Sequence, residues 1–169
     1  AAAIDHPAAR RGLVRCGIGI YGLDPAPALA GRVPLIPAMS LHARVSHVKR
    51  VAAGEGISYG LRYRPAAETT IATVPLGYAD GLPRRLGSHG GAVLVGGVPR
   101  PIAGSVTMDQ ILVDCGDDPV QVGDEVVLIG RQGDAVIGAE DWAKLLGTIA
   151  YEIVCGISPR VPRRYLEAP

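Results

Sequence analysis

Glycine and proline break this chain before any apolar run can grow long. The 169 residues include 23 glycines and 14 prolines, and the apolar stretches between them are short. Neither residue sits well inside a helix or a central strand. The chain is thereby confined to short elements joined by turns, which points to β structure. Residues 39–51, MSLHARVSHVKRV, show the pattern most clearly. Met39, Leu41, Ala43 and Val45 alternate with Ser40, His42, Arg44 and Ser46, a period of two that predicts a strand with one buried face. The alternation fails at residues 46–48, which predicts a bulge or bend. Further short strands are predicted over 70–76, 92–95, from Val98 onward, 111–114 and 125–129. Gly96-Gly97 between two of these marks a hairpin.

Helical signals come late. Residues 139–146, AEDWAKLL, carry acids in the first turn and end at Gly147. A second helix is predicted from Thr148, as N-cap, to the residues before Pro159. Residues 13–22, LVRCGIGIYG, read as a buried strand with close backbone approach at its glycines. Residues 23–37 carry four prolines, at 25, 27, 34 and 37, and read as a linker. The expected organisation has three parts. Residues 1–22 belong to a neighbouring domain, and 23–37 form a proline-rich linker. Residues 38–169 form a mostly β domain, a small barrel or sandwich with a short helical element.

Composition excludes several functions. The net charge is +1, which argues against a nucleic-acid surface. The apolar runs are too short to span a bilayer, and the first residues show no signal-peptide pattern. Cys16, Cys115 and Cys155 are odd in number and widely spaced, so neither a disulfide framework nor a zinc site is expected. Reduced thiols in a cytoplasmic protein fit better. His6, His42, His47 and His89 are scattered, and Asp117-Asp118 sits in a turn-like GDDP. Of 17 basic residues only Lys49 and Lys144 are lysines.

Phenylalanine is absent, and six tyrosines and one tryptophan supply all the aromatic rings. Two of those tyrosines are flanked by glycine, Tyr59 in SYG and Tyr78 in GYADG. Spacing alone leaves two readings open: rings that close turns against the core, or hydroxyls projected into a cleft. A wider set of motifs bears on the choice. In order they are RCGI (15–18), YG (21–22), SYG (58–60), GYADG (77–81), GSVTMDQ (104–110), GDEV (123–126), YEI (151–153) and RVPR (160–163).

This ordered set, from Arg15 to Tyr165, closely resembles the C-terminal half of the alanine racemase family, whose members interconvert L- and D-alanine with pyridoxal phosphate. The resemblance implies a (β/α)8 barrel followed by a β-rich domain, in a cytoplasmic homodimer that supplies D-alanine for peptidoglycan. Residues 1–22 would then be the end of that barrel, with its last strand. A barrel lysine holds the cofactor and serves one face of the substrate Cα. Tyr59 would be the catalytic base for the opposite face, contributed across the dimer interface. Arg15 would meet the pyridine nitrogen. The amides of Gly17 and Ile18, with the Tyr151 hydroxyl, would hold the phosphate. Met108 would offer its amide to the substrate carboxylate, and Tyr78, Arg84 and Asp109 would line the substrate corridor. No metal is implied.

The residue types suit that chemistry. Racemisation needs an acid/base group on each face of Cα. Lysine and tyrosine both titrate near ~10 and need tuning by neighbours. An arginine at the pyridine nitrogen holds its proton, which weakens the electron sink and disfavours transamination. Two departures stand out. Cys16 replaces the proline usual after the arginine. The barrel, which takes about 250 residues, and its cofactor lysine are not in the sequence, so the chain by itself is expected to be inactive. The rival readings are a racemase of serine or another small amino acid, and a non-catalytic β domain for dimerisation or partner binding.

Overall fold

The computed structural model describes residues 2–166. The chain divides into two compact units, Ala1–Ser40 and Leu41–Pro169. The first begins with helix α1 (Ala2–Asp5), followed by 3-10 turns at Pro7–Ala9, Gly17–Tyr21 and Pro27–Leu29. The strand expected over 13–22 does not form. Gly17 at φ +54° and Gly22 at φ +71° hold left-handed angles that an extended run cannot accommodate. Gly22 is also fixed by crowding, since a Cβ there would lie 1.7 Å from the Ile36 carbonyl oxygen. Ile18, Leu23 and Leu29 are buried, while Leu13 and Ile20 are exposed.

The second unit is mostly β, as the sequence pattern requires. Its strands are β1 (Leu41–Arg44), β2 (His47–Val51), β3 (Thr69–Val74), β4 (Ala92–Val95), β5 (Val98–Pro101), β6 (Ile111–Asp114), β7 (Glu125–Gln132) and β8 (Ala135–Ile137). They form two antiparallel sheets, one ordered β1-β7-β4-β5 with β8 also on β7, the other β2-β3-β6. The break in alternation after Val45 is a change of sheet. Val45 N–H donates to Asp124 O on the β7 side (2.9 Å), and Ser46 N–H donates to Thr73 O on β3 (2.9 Å). One residue of chain thus turns the corner between the sheets.

Burial explains where the two-residue period holds and where it fails. On β7, Val126, Val127, Leu128 and Ile129 are all buried, because a strand covered on both faces has no polar side. The β4–β5 hairpin turns at Gly96 (φ +63°) and Gly97 (φ +77°), the paired left-handed angles of a type I′ turn.

Helix α2 (Ala139–Leu146) matches the sequence reading. Gly138 N–H donates to the Asp141 carboxylate (2.7 Å), and Gly147 closes the helix at φ +69°. Its Trp142 side chain is buried. Helix α3 (Ala150–Gly156) starts one residue later than expected. Ile149 takes the extended N-cap position, and the Thr148 hydroxyl donates to the Glu152 carboxylate instead. Among the described residues, no helix is long and apolar enough to cross a membrane.

Candidate functional site

Tyr59 stands on a loop that the second unit holds by its ends. Ile57 and Tyr63 bridge the loop's base through Ile57 N–H to Tyr63 O (2.9 Å) and Tyr63 N–H to Ile57 O (3.3 Å). The ring projects outward and is 74% exposed. That settles the choice left open by spacing, since it is no core ring. Beside it lies a cleft of about 320 Å³ lined by Ser58, Tyr59, Ser105, Thr107, Gln110 and Leu112.

A second loop docks on the same wall. Tyr78 N–H donates to Thr107 O (2.9 Å), and Ala79 N–H donates to Met108 O (3.0 Å). The 105–110 segment therefore lies between the Tyr59 and Tyr78 loops. Tyr78 and Met108 both keep exposed side chains. Asp109 joins them through Arg160, which reaches Asp109 Oδ1 (2.7 Å) and Asp80 Oδ1 (3.2 Å). Asp80 is buried and accepts from Gly77 N–H (2.8 Å), closing its own turn.

Asp80 and Arg160 fall within the GYADG and RVPR motifs, but the sequence assigns neither a role of its own. Two arginines of the RVPR segment are engaged in the fold. Arg163 donates to the carbonyls of Ile157 (2.7 Å), Ser158 (2.6 Å) and Val161 (2.6 Å). For Asp80, an acid three residues after Gly77 was a usable capping signal.

Arg84 lines a different cleft, of about 590 Å³, with Arg85, Thr148, Glu152 and Gly156 among its walls. Tyr151 is exposed on α3. Arg15, Gly17 and Ile18 belong to the first unit, around its Gly17–Tyr21 turn, where Arg15 and Gly17 are exposed and Ile18 is buried. Lys49 pairs with Glu55 (2.9 Å), and Lys144 sits in the last turn of α2. Among the described residues, no group of three His, Cys, Asp or Glu is placed to hold a metal.

Behind the Tyr59 loop is a polar cluster that the sequence reading missed. The Tyr63 hydroxyl and the Thr69 hydroxyl each donate to the Asp114 carboxylate, and Gly116 N–H adds a bond of 3.0 Å. Burial raises the Tyr63 phenol to about 12, helped by the hydrogen bond to Asp114 and by that carboxylate's charge. Burial pushes Asp114 the other way from its partners. Bonds from Thr69, Tyr63 and Gly116 and the charge of Arg100 outweigh it and leave the carboxyl below its ordinary value.

Both shifts favour a neutral phenol on a charged carboxylate. Folding lowers Asp114, so its contribution is present above the ordinary value of 3.8 and is lost as pH falls below it. Folding raises Tyr63, so its contribution is present below pH 10 and is lost as pH climbs toward about 12. Urea midpoints measured against pH should show Asp114→Asn softening the acid loss and Tyr63→Phe softening the alkaline loss. Variants that track the parent at both extremes would contradict these partners.

Fold and site together define a β-rich domain whose candidate chemistry lies on surface loops. Comparison with known proteins narrows the class. The profile of the family described as alanine racemase, C-terminal domain, matches residues 38–165. An alanine racemase of Symbiobacterium thermophilum is 55% identical over 161 residues, 95% of this chain and 42% of that protein. The crystal structure of alanine racemase from E. faecalis aligns with a TM-score of 0.91 at 43% identity, covering 98% of this chain and 44% of its own. The alanine racemase from Bacillus anthracis with bound L-Ala-P aligns with a TM-score of 0.84 at 49% identity, covering 89% and 39%. The chain belongs to the alanine racemase C-terminal domain family. It spans less than half the length of the relatives it matches.

Proposed function

We propose that this chain is the C-terminal part of an alanine racemase in which Tyr59 exchanges a proton with one face of the substrate Cα. The observation that carries the proposal is the Tyr59 hydroxyl, held outward on a closed loop beside a small cleft.

The residues present fit pyridoxal phosphate on the side this chain would supply. Gly17 has φ +54° and open space where a Cβ would stand, so backbone can approach a phosphate closely. The first amides of a 3-10 turn have no partner within the turn, which leaves those of Gly17 and Ile18 suited to phosphate oxygens. Arg15 would donate to the pyridine nitrogen without releasing its proton, and the Tyr151 hydroxyl would complete the phosphate contacts. Pyridoxal phosphate, when bound, supplies the electron sink that makes the Cα proton removable.

The remaining roles fall on loops of the second unit. Met108 would hold the substrate carboxylate, while Tyr78, Asp109 and Arg84 would line the approach. An exposed base needs the opposite wall of its site from elsewhere, so Tyr59 would serve a second subunit in a homodimer. The setting proposed is cytoplasmic, with D-alanine destined for peptidoglycan.

The full-length protein with added pyridoxal phosphate should convert L-alanine to D-alanine, read by chiral chromatography against a panel including serine. Failure to exchange the Cα hydrogen of alanine with deuterated solvent would end the proposal. The 169-residue chain alone, whose two lysines are placed elsewhere, should neither racemise alanine nor form a reducible cofactor adduct.

A further inference from the structure

The loop carrying Tyr59 is strained. Ser58 (φ +66°) and Leu61 (φ +52°) hold left-handed angles without being glycine, and Gly60 holds a third at φ +74°. Such a backbone persists only where its surroundings over-determine it. Two attachments do so. On the near side, Ser58 Oγ accepts Ser105 N–H (2.9 Å), and Leu61 N–H closes back on Ser58 O (2.9 Å). On the far side, the chain leaves through Tyr63, whose ring packs on the cluster of Val51, Ile71 and Ala103. Its hydroxyl ends on Asp114, a carboxylate at the end of β6 that also accepts from Thr69 at the start of β3.

Tyr63 is thus tied at both ends, by its backbone to Ile57 and by its hydroxyl to Asp114 on β6. A rotation of its ring or a slip of its backbone would be passed to residues 58–62. We propose that Tyr63 and Asp114 are a positioning pair that fixes where Tyr59 presents its hydroxyl. Neither touches the reacting atoms. For its catalytic consequence the proposal rests on the racemase reading of Tyr59. Its structural half stands on the bonds alone. Proton transfer is steep in donor position, so a loop loosened by about an ångström should cost roughly 10- to 100-fold in rate.

The test uses the full-length protein and three variants. Tyr63→Phe keeps the ring and removes the anchor. Asp114→Asn keeps an acceptor for the hydroxyl and should be milder. Thr69→Val deletes a different bond to the same carboxylate and serves as the control. Amide hydrogen exchange at Ile57 and Leu61 should rise about tenfold or more in Tyr63→Phe and stay near the parent value in Thr69→Val.

In the same proteins, kcat should fall in Tyr63→Phe with KM little changed. The Cα-deuterium isotope effect should grow in the direction in which Tyr59 removes the proton and stay fixed in the other. Unchanged exchange at Ile57 and Leu61 in Tyr63→Phe would overturn the anchor. So would equal changes in Tyr63→Phe and Thr69→Val. Raised exchange with symmetric isotope effects would overturn its link to Tyr59. A parent protein inert toward alanine would sink the racemase reading, and the exchange data would still decide the anchor.

Discussion

Tyr59→Phe in the full-length protein should lower alanine racemisation by roughly 10²- to 10⁴-fold, the usual range for losing a positioned acid/base group. The substitution removes one oxygen and keeps the ring. At 74% exposure the change should leave stability within about 0.5 kcal/mol of the parent. Both directions must fall together. On the proposed reading, the hydroxyl that takes the proton from one enantiomer would also return it on that face in the reverse reaction. The opposite face should remain served by the other base. In deuterated water one enantiomer should therefore still exchange its Cα hydrogen with retention, while inversion all but stops. Chiral separation with mass detection reads both quantities at once. A variant that racemises at the parent rate in either direction would remove Tyr59 from the chemistry.

What could be read from the sequence follows from the range of the interactions involved. Period-two alternation and turn residues act over a few positions, and they located β1, the Gly96-Gly97 hairpin and α2. They failed where a partner distant in sequence decides. Gly130 reads as the end of a strand, yet β7 runs on to Gln132 because β8 pairs there. The run 13–22 reads as a strand, but left-handed Gly17 and Gly22 turn it.

The site divides in the same way. Tyr59, Tyr78 and the 104–110 segment were visible as compact motifs. Arg160 reaching Asp80, and Tyr63 reaching Asp114, are pairs between residues far apart in the chain. Nothing in the local pattern of either partner names the other. Asp80 and Arg160 were therefore visible only as members of two separate motifs, and Tyr63 and Asp114 had no assigned role.

Gly77→Ala should destabilise the protein by roughly 3 kcal/mol, a large loss for a single methyl group. Backbone strain plays no part. Gly77 sits at φ −138°, ψ −161°, extended angles open to any residue. The cost is contact. A Cβ there would lie 2.3 Å from Thr107 O and 2.4 Å from Met108 O, both backbone atoms that cannot swing aside. The loops would have to part, and the bonds from Tyr78 N–H to Thr107 O and Ala79 N–H to Met108 O would go with them. At about 1 kcal/mol each, those two bonds account for most of the loss, with lost packing making up the rest.

Gly96→Ala is the matched contrast. Gly96 has φ +63° and open space around its missing Cβ, so it meets a conformational cost of only about 1–2 kcal/mol. Denaturant unfolding of the two variants should therefore separate them, with Gly77→Ala the weaker protein. Equal losses would mean that the two loops are not packed as described. The difference bears on function because the seam at Gly77 is what sets Tyr78 and Met108 side by side. In the full-length protein, Gly77→Ala should lower kcat/KM for alanine even at temperatures where the fold survives, and Gly96→Ala, at the tip of a remote hairpin, should leave it unchanged.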